Sequence, residues 1–300
     1  MEQDLRQFIY LDSGAVNSLL ASMFMAVPET VREVAEESEK EGTQSEGKAG
    51  LNLGSLLNLG GSHARSTSES EREMSEISKR VNDQYRFSIL VNAIESSGTE
   101  PEITEITNDA DIESVESGDL IRIEGSCRPD PLYPLLSSLQ YFVEATSDAP
   151  DGGGFFAQLI QNQSQLGQVE QFYELLYHGW IGLDIETSLS EWNIGTTVST
   201  QDMWVNPDRE FRSQNQYTVF GRIREINGEE AIWDLIEVLR MMDTVSSDDE
   251  SSKMRAKLVG EVLDSMEEQN ESEFELPEIQ PDDFVLEGKS VIIDPIAIHW

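Results

Sequence analysis

The chain has 300 residues, with 20 Lys and Arg against 58 Asp and Glu, for a net charge of -38. A charge of that size excludes a nucleic-acid binder built on a general positive surface, because the summed field repels a phosphate backbone. With 38% hydrophobic residues the chain still has ample material for a core, and its single cysteine, Cys127, excludes an intramolecular disulfide and cysteine-rich zinc sites.

The acid is spread along the whole chain, and Lys occurs only at positions 40, 48, 79, 253, 257 and 289. That pattern points to a halophilic protein of a salt-rich cytoplasm, where ions screen the self-repulsion of the folded state. The alternative reading of the same charge is an acidic decoy for a basic partner. No basic, apolar leader opens the sequence, and no apolar run reaches the roughly 20 residues needed to cross a bilayer. A soluble cytoplasmic protein is therefore expected.

Phe8–Leu11 is a compact aromatic and branched run, which predicts a strand closed by Asp12, Ser13 and Gly14. A helix is predicted to follow at once, capped by Asp12 or Ser13 and carrying Ala15, Val16, Leu19, Leu20, Met23 and Phe24 on one face. Glu29–Lys40 reads as a polar, acidic helix. Residues 41–70 are rich in Gly, Ser, Thr and Glu, a composition that buries too little apolar surface to offset its ordering entropy. Within them Leu51, Leu53, Leu56, Leu57 and Leu59 punctuate Gly and Asn, a patch suited to docking on the body, self-association or peripheral contact with a membrane.

Gly42–Ala49 reproduces the glycines and lysine of a phosphate-binding loop. Ala49 stands where a magnesium-holding hydroxyl is required and Glu46 where phosphate would sit, so a nucleotide site is rejected and no cofactor is expected. From Glu69 to Ala93 helical spacing resumes, with Met74, Ile77, Val81, Tyr85, Ile89 and Ile94 predicting a core-packing helix. Its Arg72, Lys79, Arg80 and Arg86 are explained by intrahelical pairing with nearby acids.

Asp119–Cys127 alternates apolar and polar residues as a strand does, and a helix over Leu132–Val143 follows Pro129 and Pro131. Tyr217–Ile226 repeats the alternation and is followed by predicted helix over Glu229–Met242. Between these units, Phe155–His178 reads as helix, and Trp180–Glu186 and Asn193–Val205 as antiparallel strands. Lys253–Met266 reads as a further amphipathic helix, and acidic loops are expected at about 243–252 and 267–283. Val291–Trp300, VIIDPIAIHW, is the terminal strand. The expected fold is α+β, one domain over 1–300 with a mixed, mainly antiparallel sheet, helices largely on one face, and the first and last strands meeting in the sheet.

Catalytic groupings are scarce. His63, His178 and His299 have no second ligand at metal spacing, and Cys127 has no histidine beside it. Asp184 and Glu186 sit two apart on a predicted strand and so share a face, as paired acids or cation ligands can. Among 58 acidic residues a solvated pair of this kind arises by chance. They are the weak metal-site candidates, no residue is assigned as catalytic, and the sequence leans away from an enzyme.

The blocks FIYLDSGAVNSLLASM, GDLIRIEGSCRPDPLYPLLSSL, YTVFGRIREINGEEAIWDLIEVL and VIIDPIAIHW, in this order around a Ser/Gly-rich insert, resemble a family of uncharacterised prokaryotic proteins built on a domain of unknown function. The resemblance implies the architecture outside about residues 28–70 and 243–283, and brings no activity or site residue with it. The function expected is that of an interaction or regulatory protein, an accessory or effector of a defence or stress system, that binds a protein partner or itself. The alternatives are a carboxylate-based metal enzyme and an effector attaching to membrane through residues 49–61.

Overall fold

The computed structural model describes residues 6–24, 67–97, 101–138, 173–211, 215–243, 257, 260 and 279–300. Two compact units emerge, one formed by Met1–Asp12 with Gly98–Trp300 and the other by Ser13–Ser97. The predicted helix at 29–40, the phosphate-loop look-alike and the leucine patch at 51–59 lie outside the described residues, as do most of the helices predicted at 155–178 and 253–266.

The larger unit is a mixed, mainly antiparallel sheet that closes on itself. Its strands are β1 (Phe8–Leu11), β2 (Ile103–Ile106), β3 (Leu120–Pro129), β4 (Trp180–Glu186), β5 (Asn193–Ser199), β6 (Gln216–Asn227) and β9 (Ser290–His299). Hydrogen-bonded pairing runs β9–β5–β4–β3, while β6 pairs with both β3 and β9. Those five strands therefore form a ring. Two register shifts in the β6–β9 ladder, one between Phe220 and Gly221 and one between Ile223 and Glu225, supply the local bending that such closure needs. Pro295 falls at the first of them, which is how a proline is accommodated in a strand with partners on both sides.

Closure sorts the side chains by parity. Ile121, Ile123 and Cys127 of β3, Ile181, Leu183 and Ile185 of β4, Ile194 and Val198 of β5, Tyr217, Val219 and Ile223 of β6, and Val291, Ile293 and Ile298 of β9 belong to one buried cluster. A ring of five strands leaves room inside for little more than the side chains themselves. The two terminal strands meet as expected, β1 pairing antiparallel with β9 through Tyr10 opposite Ile298 and Leu11 opposite Ala297. The β2 strand pairs parallel with β3, an addition that the sequence reading left out.

Outside the ring lies a second, two-stranded sheet of β7 (Ile232–Asp234) and β8 (Val285–Glu287). Trp233, Leu235, Leu286 and Ile292 form its own apolar cluster. This corrects the continuous helix predicted over Glu229–Met242, which is strand first and helix only from Glu237 to Asp243. The cause is tertiary pairing: the Leu235 amide donates to the Phe284 carbonyl at 2.8 Å and the Gly288 amide to the Ala231 carbonyl at 2.8 Å. The Arg240 guanidinium then lies 4.6 Å from the centre of the Trp233 ring. Gly182 on β4 permits this layer to approach, since a Cβ there would stand 1.8 Å from the Leu235 carbonyl oxygen.

The smaller unit comprises α1 (Ser13–Phe24) and α2 (Thr67–Ser97). Val16 and Leu19 of α1 are buried. The Ser13 hydroxyl, a predicted cap, donates instead to the buried Asp83 carboxylate of α2 at 2.7 Å. On α2 the buried face runs through Asp83, Phe87, Leu90, Val91 and Ile94. Of the predicted core stripe, Val81 and Tyr85 are 58% and 62% exposed. Ile94 of that stripe is buried as expected, while Phe87, Leu90 and Val91, which it did not include, supply the rest of the covered face.

Candidate functional site

The most constrained polar group lies where β3 leaves the ring. Pro129 and Pro131 flank Asp130, after which residues 132–138 are helical. Asp130 is 1% exposed, and its Oδ1 accepts from the Leu132 amide at 3.0 Å, the Tyr133 amide at 3.2 Å and the Tyr177 hydroxyl at 2.8 Å. It is therefore the cap of the helix that follows, since it satisfies amides that have no partner within the helix. Its Oδ2 has no hydrogen-bond partner. Burial pushes the carboxyl up to about 6, against the pull of the Tyr177 hydrogen bond and of the two amides.

Three tyrosines enclose this carboxyl. Tyr133 and Tyr177 meet edge to face with ring centres 5.2 Å apart, and Tyr173 lies 5.3 Å from Tyr177. The Tyr133 hydroxyl donates to Asp208 Oδ1 at 2.8 Å, on the short helix Pro207–Glu210 that Asn206 caps. Burial raises the pKa of all three phenols. They remain neutral donors, and the cluster ties the end of β3 to two helical segments and the 207–210 turn. Sequence reasoning passed over Asp130, although an acid between two prolines before an apolar run is the signal of a cap. Its burial has no such signal.

Asp184 and Glu186 do share the outward face of β4, because Ile181, Leu183 and Ile185 face the ring. The antiparallel register then places Arg128 opposite Asp184, and the Arg128 guanidinium donates to the Glu186 carboxylate. Burial pushes Asp184 up to about 6, while Arg128 pulls it down and Glu186 pushes it up. A fixed guanidinium beside the two acids makes this an ion cluster with its cation already in place. Among the described residues no three His, Cys, Asp or Glu converge as metal ligands.

Cys127 is 1% exposed on the inner face of β3, and burial, with a smaller push from the Asp184 charge, raises its thiol to about 12. It stays a thiol, with no nucleophilic character. His178 takes a left-handed turn at φ 44° before β4, and His299 is buried with Nδ1 2.9 Å from the Trp300 carbonyl. His63 and Leu51, Leu53, Leu56, Leu57 and Leu59 lie outside the described residues. Lys289 stands at an open depression of about 570 Å³ beside Glu191, Asn193, Glu229 and Glu287, 3.3 Å from the Glu191 carboxylate.

No helix among the described residues is long and apolar enough to cross a membrane. No curated protein and no solved structure matches the chain. A family defined by a domain of unknown function, DUF6414, matches residues 5–299, and the chain belongs to that family.

Proposed function

We propose that the chain is a non-enzymatic interaction or regulatory protein of a salt-adapted prokaryotic cytoplasm, acting through its helical surface and the 41–70 segment. The observation that carries this reading is the exposure of Val81 and Tyr85 on α2, the helix that begins where that segment ends. Large apolar groups presented to water on so acidic a chain mark a contact surface. The ring supports the same reading, since its inner positions are filled by packing side chains and its buried thiol and phenols are held in unreactive protonation states.

Deleting residues 41–66, which leaves α2 whole, is expected to abolish binding of a partner while circular dichroism and the melting temperature of the remaining body stay unchanged. Unchanged binding in a pull-down with purified partner would sink the reading. A second reading, a carboxylate site for a divalent cation that displaces Arg128, is supported by the shared outward face of Asp184 and Glu186 on β4. Titration calorimetry with Mg²⁺ and Mn²⁺ in molar KCl tests it, and heats that persist in Asp184→Asn would refute the assignment.

A further inference from the structure

Residues 173–177 are helical and run into β4 through His178 and Gly179. These two residues have φ of 44° and 80°, the left-handed backbone with which a helix ends and the chain turns. The strand side of this joint is fixed, because the Thr200 amide and hydroxyl both donate to the Gly179 carbonyl, at 2.8 and 3.1 Å. The helical side is held by side chains. Leu176 and Tyr177 are buried while Glu174 and Leu175 face water. The Tyr177 hydroxyl, donating to Asp130 Oδ1 at 2.8 Å, ties the segment to the end of β3.

That tie ends on a group poorly placed to carry charge. The partners of Asp130 are two amides and a phenol, all neutral and all on Oδ1, while Oδ2 has none and the residue is closed to water. Tyr133 faces it from the 132–138 helix, and Tyr173 and Tyr177 from the other segment. From Pro207–Glu210, Asp208 stands behind Tyr133 and brings a second negative charge, and on β3 Arg128 is engaged by Glu186. A protonated carboxyl suits this site: Oδ1 keeps its three donors as a carbonyl oxygen, and Oδ2 carries the proton. An ionised one leaves charge on an unpartnered buried oxygen, a cost that disappears when the site opens to water.

We infer that the Tyr177–Asp130 contact is a proton-controlled latch on the 173–177 segment, closed while the carboxyl is protonated and released about the His178–Gly179 joint when it ionises. Burial lifts the closed carboxyl from 3.8 to about 6, so closure is fully supported below about pH 4 and loses that support as pH rises. The opening constant climbs between those two values and levels off about a hundredfold higher. Release uncovers Leu176 and the Tyr133 and Tyr177 rings beside Leu175 and Trp180, which are exposed already. A local motion of this kind needs no change in the ring, since β4 starts from the clamped Gly179 carbonyl. The latch goes beyond the interaction reading and does not rest on it.

The test is native-state hydrogen exchange of the full chain. It is read at the His178 amide, which donates to the Glu174 carbonyl at 3.0 Å within the segment, and at the amides of the β4–β5 ladder as the reference for the ring. With the intrinsic rate divided out, protection at His178 is expected to fall about a hundredfold from pH 4 to pH 7. It should be indifferent to sub-denaturing urea, whereas the ladder amides, which need the ring to open, lose protection as urea is added. Asp130→Asn keeps an acceptor and cannot ionise, so its profile at His178 should be flat in pH. Tyr177→Phe removes the tie and should lower protection there about fivefold at pH 4. A flat profile in the natural chain, exchange at His178 that follows the urea dependence of the ladder, or a pH dependence that survives in Asp130→Asn would each overturn the inference. The first two are read on the natural chain and do not depend on a variant folding.

Discussion

Asp130 combines three hydrogen bonds on one oxygen with none on the other, in a site closed to solvent. Its pKa is lifted from 3.8 to about 6 by burial, so the folded chain holds the proton more tightly than the unfolded chain does. The resulting stabilisation is complete below about pH 4 and is lost as pH rises through about 6. A shift of two units corresponds to about 3 kcal/mol. Other carboxylates titrate across the same range, so the measurement is a difference. Melting temperatures of the natural chain should fall between pH 4 and 7 relative to those of Asp130→Asn, which keeps the acceptor for Leu132, Tyr133 and Tyr177 and carries no charge. Parallel curves for the two proteins would contradict this account. At this scale the sequence was informative about type and silent about environment. Asp130 carried the signal of a cap in its two prolines, but its enclosure by Tyr133, Tyr173 and Tyr177 depends on segments more than 40 residues apart. Asp184 and Glu186 could be placed on one face by parity alone, whereas the guanidinium between them is set by a strand register that no local pattern announces.

Among the elements, β3, β4 and β6 begin and end within a few residues of where apolar alternation placed them, and β9, read from its uninterrupted apolar run, is buried on both faces. The failures share a cause. At Ile232–Asp234 the apolar spacing satisfied a helix, yet the pairing of Ile232 with Glu287 and Asp234 with Val285 made a strand. Partners 50 residues away decided it, which is the usual way tertiary contact overrides propensity. On α2 the periodicity was right and Ile94 is buried as expected, but Val81 and Tyr85 are exposed and Phe87, Leu90 and Val91 are covered instead, because Val81 and Phe87 are equally apolar to a pattern. The close approach of the outer layer supplies a test at this scale. Gly182→Ala drives a Cβ into the Leu235 carbonyl, a backbone atom that cannot swing away, and should destabilise the protein by about 3 kcal/mol in urea unfolding. Gly228→Ala is the control: a Cβ there meets nothing within 4 Å, and the change should be neutral or stabilising by about 0.5 kcal/mol. Equal effects at the two glycines would remove Gly182 from its role as the contact point.

For the whole molecule, a charge of -38 opposes the folded state by repulsion that salt screens. The Debye length falls from about 10 Å at 0.1 M to about 3 Å at 1 M, so most of the relief comes within that interval. The melting temperature should therefore climb steeply between about 0.1 and 1 M KCl and more gently beyond, and a flat or falling curve over that interval would argue against salt adaptation. The same charge gave the sequence reading its broadest conclusion, although composition could not show that the sheet closes. Closure gives β9 a particular standing in time as well as in space. It carries the ladders to β1, β5 and β6, yet its residues are synthesised after every other strand of the ring. Until Ser290–His299 is made, β1 has, among the described residues, only its short contact with Met203 and Trp204, and Val219, Ile223 and Ile194 border a gap where Ile298, Ile293 and Val291 will stand. Closure of the ring is then a late event in which one strand docks along three edges together, completing for β1 an attachment that Met203 and Trp204 begin.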